Sequence, residues 1–415
     1  MAVTKTFMGR ADMSDTGRFD RRSHFLFVAL LTKKEIKMKK TGMAAAIMST
    51  AFVCHAQSSV TLYGALDDGI TYTNNQGGHS NVQASNGALG STKWGFLINE
   101  DLGGGYSTVA RLESGVDINT GKMNNGGRLF GRQAYVGLGS PFGTVLMGRQ
   151  YDLVLDSLIG LSASGRFNGI LATHAADVDN VWGNYSLSNS IKYISPTYAG
   201  FKLSGLFSLG GVAGDFSNGK KESISLSYAN NALSASAVIS RINNPATSIY
   251  DATANPVAGG TFVNPITNPT YSGYTSAQTL QVAGAGINYR LGAALLGFTY
   301  TNTRFEDVVR TSSTPFSGTA TFNNYEALAT YNVTPAVLLG ASYDYTKAES
   351  AKYLQLNVGT QFSLSKRTLL YATTSWERAT GIDSTGKSAV AALSFLTPSS
   401  TNSQVAVRAG IRHTF

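Results

Sequence analysis

The stretch QVAVRAGIRHTF, Gln404 to Phe415, decides how this chain folds. Val405, Val407, Ala409, Ile411, His413 and Phe415 share one parity. Gln404, Ala406, Arg408, Gly410, Arg412 and Thr414 share the other. In a strand, alternate side chains point to opposite faces. One face is therefore mostly apolar and the other carries two arginines. The last residues of a soluble domain are usually frayed and polar. This segment reads instead as a strand that closes a sheet with an oily outside and a wet inside.

The rest of the composition fits many short strands. Of 415 residues, 43% are hydrophobic and 14% charged, with 45 Gly and 20 each of Tyr and Phe. No run of 18 or more apolar residues occurs, so no helix is expected to span a membrane. Two classes remain: a large soluble all-β protein or a membrane β-barrel.

Charge is interpretable only after the front of the chain is set aside. Residues 38–56 read MKKTGMAAAIMSTAFVCHA. Lys39 and Lys40 form a basic segment, Met43 to Val53 a short apolar one, and Cys54-His55-Ala56 a cleavage site before Gln57. The expected layout is an upstream extension over 1–37, a secretory signal peptide over 38–56 and a β-barrel over 57–415. A cytoplasmic arm at 1–37 would show periodicity, and none is seen. A lipidated Cys54 is disfavoured because Phe52-Val53 makes a poor lipobox. Residues 1–56 hold 10 of the 33 Lys+Arg and 4 of the 24 Asp+Glu, leaving 23 against 20. The headline charge of +9 thus shrinks to +3, and the case for nucleic-acid binding loses its basis. The single Cys leaves with the same segment, which suits an oxidising compartment.

Alternation recurs through residues 57–415. Leu354, Leu356, Val358 and Phe362 oppose Tyr353, Gln355, Asn357 and Gln361; Ile224, Leu226 and Tyr228 oppose Ser223, Ser225 and Ser227. A soluble sandwich has the same period, so the links between strands must decide. Short links such as Gly103-Gly104-Gly105, Asn230-Asn231 and Thr334-Pro335 alternate with long ones at 73–90, 119–127, 151–187, 210–220, 242–277, 305–321 and 380–401. A chain threaded through a bilayer does this, with tight turns inside and long loops outside. The expected fold is all-β, a sixteen-stranded antiparallel transmembrane barrel. Its strands are placed at 59–72, 91–100, 106–118, 128–138, 143–150, 188–195, 200–209, 221–229, 232–241, 278–289, 293–304, 322–332, 335–346, 350–363, 367–379 and 402–415. The apolar segment 387–396 is left in the last long loop, because a chain entering and leaving on one side needs an even number of strands. The first strand must then pair with the last, since lipid tolerates no unpaired edge.

SSVTLYGALDDGI (58–70), WGFLINEDLGGGYSTVARLESGVDINTG (94–121), LFGRQAYVGLGSPFGTVLMGRQYD (129–152), NSIKYISPTYAGF (189–201) and VAVRAGIRHTF (405–415) together resemble the general porins of β-proteobacterial outer membranes, the Burkholderia, Bordetella and Neisseria type. The resemblance runs in order through the chain after residue 57. It implies a homotrimer in outer-membrane lipid, passive diffusion of small hydrophilic solutes and ions, and a third extracellular loop folded inward as a constriction. It also implies a basic position in the second strand, here Lys93, and another in the fourth, here Arg132. Arg111 and Glu113 share the inner face of the third strand, and Asp67 has the inner parity of the first. Asp152 and Asp156 are the first acids of the expected inward loop. These seven are the candidate constriction residues; opposed charges across a narrow pore orient dipolar solutes. Family members often carry another Arg just before the NSIKY motif, where this chain has Tyr185, Ser186 and Leu187. That absence argues against strong anion selectivity. Arg149 in GRQYD is expected nearer a subunit contact than the pore. Phe415 matches the family's insertion signal, which implies the outer-membrane assembly machinery as a partner.

Two other functions compete. A substrate-specific channel would carry a run of sugar-stacking aromatics inside the barrel, and none is legible. An outer-membrane hydrolase would need a nucleophile beside a base. No G-x-S-x-G occurs, His79 and His174 fall in expected loops, His413 near a rim, and no metal-ligand spacing is apparent. No cofactor is called for. Trp94, Trp182 and Trp376 read as girdle, core or interface residues.

Overall fold

The computed structural model describes residues 58–415. The expected extension, signal peptide and cleavage site lie outside those residues. The first wall strands are β1 (Ser59–Gln76), β3 (Lys93–Gly103), β4 (Tyr106–Gly115), β5 (Gln133–Ser140) and β6 (Gly143–Gln150). The wall continues with β7 (Leu187–Ile194), β8 (Phe201–Ser208), β9 (Lys221–Ala229), β10 (Leu233–Asn243) and β11 (Thr279–Leu291). It ends with β12 (Ala294–Val308), β13 (Gly318–Asn332), β14 (Val337–Lys347), β15 (Ala351–Ser363), β16 (Thr368–Gly381) and β17 (Ser403–Thr414). From β3 onward each pairs antiparallel with the next. β1 closes the ring, pairing with β3 from Ser59↔Asn99 to Ala65↔Lys93 and with β17 from Ala65↔Thr414 to Thr73↔Ala406. The wall is a closed sixteen-stranded antiparallel barrel. No backbone edge stays open, as hydrocarbon requires.

One further strand, β2 (His79–Asn86), lies where only a loop was expected. It pairs with the far half of β1, from Asp68↔Asn86 to Gln76↔His79, beyond the point where β3 stops. β2 therefore continues the place of β3 in the wall and adds no seventeenth stave. Its outward burial pattern is weak, which explains why periodicity missed it. The strand expected over 128–138 begins later, at Gln133. Segment 387–396 contains no strand. Its apolarity has another cause: Ala391, Ala392 and Leu393 are buried inside the barrel, with Leu393 packed against Ile170, Leu171 and Ala406.

Burial is inverted relative to a soluble protein. Val60, Ile70, Val136, Val358, Val407 and Ile411 are exposed on the outer face. Thr71, Thr301, Asn357, Gln404 and Arg408 are buried on the inner one. The outer band suits acyl chains. Among the described residues no helix is long and apolar enough to cross a membrane. Links at one end of the barrel are tight, including 141–142, 230–232 and 292–293; those at the other are long, except 348–350 between β14 and β15.

The long loops turn inward. Loop 151–186 opens with a helical turn, Leu153–Leu158, that packs on β8 to β11 from within. It then crosses to the far wall. The amide of Ala163 donates to Glu326 at 2.9 Å and Gln355 to the carbonyl of Leu171 at 2.6 Å. The Phe167 ring lies against Gly340 and Gly359, where any Cβ would crowd it. Loop 244–278 supplies a second plug, in which Tyr250 packs on Tyr271, Tyr271 stacks on Phe305, and Tyr274 lies tilted or edge-on against Phe305, Phe316 and Phe322. Such ring pairs add about 0.5–1.5 kcal/mol each beyond area burial. The expected inward third loop is present, and a second inward loop joins it.

Candidate functional site: the charged inner wall

Glu113 is the centre of the charged wall. It lies on β4, fully buried from solvent, with Arg132 Nε donating to it at 2.9 Å and Lys93 Nζ ion-paired with it at 3.5 Å. The hydroxyls of Tyr63 and Tyr151 also donate to it, at 2.8 and 2.7 Å. Register brings this about: Lys93 pairs with Gly115 and Gly95 with Glu113 across β3–β4. Arg132 arrives from the turn before β5, and Tyr151 from the start of the inward loop. One carboxylate thus serves two cations and two hydroxyls. Its charge is spent, while Lys93 and Arg132 keep side-chain exposures of 29% and 15% toward the lumen. The Arg132 guanidinium also lies 5.4 Å from the Tyr151 ring centre, and Arg111 lies 5.5 Å from that of Tyr63.

Arg111 faces a second group. With Asp156, Lys192 and Lys202 it lines a cavity of about 270 Å³ below the helical turn, walled also by Tyr135 and Gln150. Lys192 donates to Asp156 at 2.6 Å and to the carbonyl of Tyr151 at 2.8 Å. Lys192 and Lys202 were not singled out from sequence. The signal was available: Ile191 and Tyr193 point outward, so parity sends Lys192 inward.

The remaining candidates sit elsewhere. Asp67 is buried on β1, where Arg408 lies at 3.3 Å and Tyr371 donates at 2.7 Å. Arg408 also donates to Tyr371 at 2.7 Å, to Thr71 and to the carbonyl of Ser85. This network ties β1 to β16 and β17, and Asp67 has no exposed surface. Asp152 caps the helical turn, accepting from the amide of Leu155 at 3.0 Å, an interaction of about 1 kcal/mol. It too is fully buried, and burial pushes its carboxyl up to about 7. Arg149 donates to the carbonyl of Gly131 and to Ser188, both at 2.7 Å. Phe415 exchanges two backbone bonds with Gly64, each 3.1 Å, and its ring lies over that glycine where a Cβ would overlap it. Above the Glu113 cluster, Arg132, Trp182, Asn124, Asn184 and Arg408 line a cavity of about 580 Å³.

A closed wall, apolar outside and charged within, narrowed by inward loops, defines an integral β-barrel membrane protein. The family model of the Gram-negative porin matches residues 44–381, and the chain belongs to that family. The barrel is accordingly an outer-membrane one, with the long loops extracellular and the tight turns periplasmic. The chain is 32% identical to an outer membrane porin protein of Bordetella pertussis over 182 residues, 40% of this chain and 47% of that one. It is 31% identical to outer membrane porin protein 32 of Delftia acidovorans over 175 residues, 40% of this chain and 48% of the relative. These alignments span about half the length of the relatives. Among solved structures, the anion-selective porin from Comamonas acidovorans superposes with a TM-score of 0.66 at 22% identity, covering 86% of this chain and 100% of that one. A trimer form of OmpT from Vibrio cholerae gives 0.59 at 15% identity, covering 86% and 99%.

Proposed function

We propose that the chain forms a water-filled channel through which ions and small hydrophilic solutes diffuse passively across the outer membrane. The observation that carries this reading is the partly exposed basic wall inside the barrel, Lys93, Arg132 and Arg111, set against the inward loop. A structural core would not leave such charges facing water-sized cavities. Among the described residues the wall holds Lys93, Arg132, Arg111, Lys192 and Lys202 against Glu113 and Asp156, both already ion-paired, and Asp117 beside the Arg132 cavity. Uncompensated positive charge lowers the barrier for anions and raises it for cations. The channel therefore prefers anions mildly, even without the extra Arg common in the family. The constriction consists of Lys93, Arg132, Arg111 and Glu113 on the wall, faced by Asp156 on the loop; Asp67 and Asp152 hold the frame in place. The working unit is a homotrimer, consistent with a trimeric form among the structural neighbours, and Phe415 is read by the assembly machinery. No catalytic chemistry is assigned to the barrel.

Reversal potentials across a bilayer with a salt gradient test the constriction. Wild type is expected to sit on the anion side, and an ideally non-selective value would overturn the charge argument.

A further inference from the structure

Where the inward loop meets the far wall, three ionisable side chains come together away from the pore. His174 comes from the loop, Glu326 from β13 and Asp344 from β14. All three are fully buried, and one donor atom from each lies within 4.8 Å of the others. No backbone, hydroxyl or amide group outside the trio reaches His174 Nε2, Glu326 Oε2 or Asp344 Oδ1, which face only one another. Unpaired buried polar atoms are costly, and three converging on one point call for a common partner.

The opposite atom of every one of these side chains is anchored. His174 Nδ1 is bonded to Asp179 at 2.5 Å, and Asp179 in turn accepts from Thr301. Glu326 Oε1 accepts from the Ala163 amide at 2.9 Å. Asp344 Oδ2 accepts from Ser342 at 3.1 Å and Asn357 at 2.6 Å. A carboxylate that fixes the far nitrogen of a histidine, with the near one left free, is the usual outer shell of a metal ligand. Among the described residues no Lys or Arg pairs with Glu326 or Asp344; the nearest basic atom is His174 Nε2, 3.7 Å from Glu326 Oε2.

We propose that His174, Glu326 and Asp344 bind a first-row divalent cation of the zinc type, which staples the inward loop to the barrel wall. One imidazole and two carboxylates without sulfur suit such an ion. Its two charges offset the Glu326 and Asp344 carboxylates, and the Asp179 carboxylate is held by His174 Nδ1 and Thr301. Bonds of about 2.1 Å around a tetrahedral ion hold ligand atoms roughly 3.4 Å apart. The 3.7 Å between His174 and Glu326 is near that already, and small rotations of the unbound oxygens supply the rest. The cation enters during folding, before the loop seals the site. This goes beyond the channel reading and does not depend on conduction.

The test uses the whole barrel refolded in detergent with Zn²⁺ or with EDTA, then freed of loose metal by gel filtration. Elemental analysis of the Zn²⁺ preparation is expected to give stoichiometric retained metal, with a higher unfolding temperature than the EDTA preparation. Co²⁺ in place of Zn²⁺ is expected to show the visible absorption of a nitrogen- and oxygen-ligated site. Glu326→Gln and Asp344→Asn are expected to weaken binding at least about tenfold. Wild-type barrel that retains no metal would overturn the proposal outright, whether or not the variants fold. Metal retained unchanged by both variants would place it elsewhere on the molecule and overturn the proposal equally.

Discussion

At the scale of single residues, Lys93 and Arg132 owe their geometry to Glu113 but keep lumen exposure. Lys93→Glu or Arg132→Glu is therefore expected to shift reversal potentials toward cations, and unchanged potentials would refute the constriction assignment. Asp67 predicts the opposite profile. Asp67→Asn leaves the buried Arg408 guanidinium without its counter-charge, which costs about 3–5 kcal/mol by the general behaviour of broken buried pairs. Denaturation of the folded barrel should register that loss while ion preference stays put. Asp152 adds a pH dependence. Its carboxyl is raised by burial to about 7 from an ordinary value of 3.8, so the folded barrel holds this proton more tightly than the unfolded chain. Its contribution to stability is fully present below pH 4 and is lost as pH rises through 7. Asp152→Asn keeps an N-cap and should flatten that part of the stability profile between pH 4 and 7; an unchanged profile would contradict the assignment.

At the scale of elements, the outer wall was legible because lipid imposes a strict alternation, and the hairpin links carry recognisable turn residues. β13 to β17 follow that pattern almost residue for residue. β2 was not legible, since His79–Asn86 lies beyond β3 and faces no lipid on a regular face. Nor could sequence show where the inward loop docks. Its partners, Glu326, Gln355 and Gly340, come from strands more than 150 residues away, and only the register of a closed barrel brings them opposite the loop. The basic ladder was half legible: Lys93, Arg111 and Arg132 stood out by motif and parity, whereas Lys192 required parity alone. The histidine–carboxylate cluster was invisible for the same reason as the docking site, since His174, Glu326 and Asp344 have no ligand-like spacing. Gly340 supplies an element-scale test. Gly340→Val places a side chain where the Phe167 ring sits, which should dislodge the loop and raise conductance and open-channel noise. Conductance equal to wild type would show that the loop does not narrow the pore.

At the scale of the whole molecule, the barrel's seam and its lumen are separable. Phe415 closes the seam through its backbone pair with Gly64 and the ring over that glycine. Phe415→Ala should reduce the yield of folded barrel more than it changes the conductance of barrels that do assemble. Unheated protein in non-denaturing electrophoresis should migrate as a trimer, and monomer alone would contradict the proposed working unit. The lumen is proposed to conduct without a specific substrate. Single-channel recording in a planar bilayer tests it most directly. The expected result is steps of conductance that grow with salt concentration and that no sugar saturates at low concentration. A barrel that inserts but gives no conductance, or one whose conductance saturates at low concentration of a single sugar, would rule out a non-specific diffusion channel.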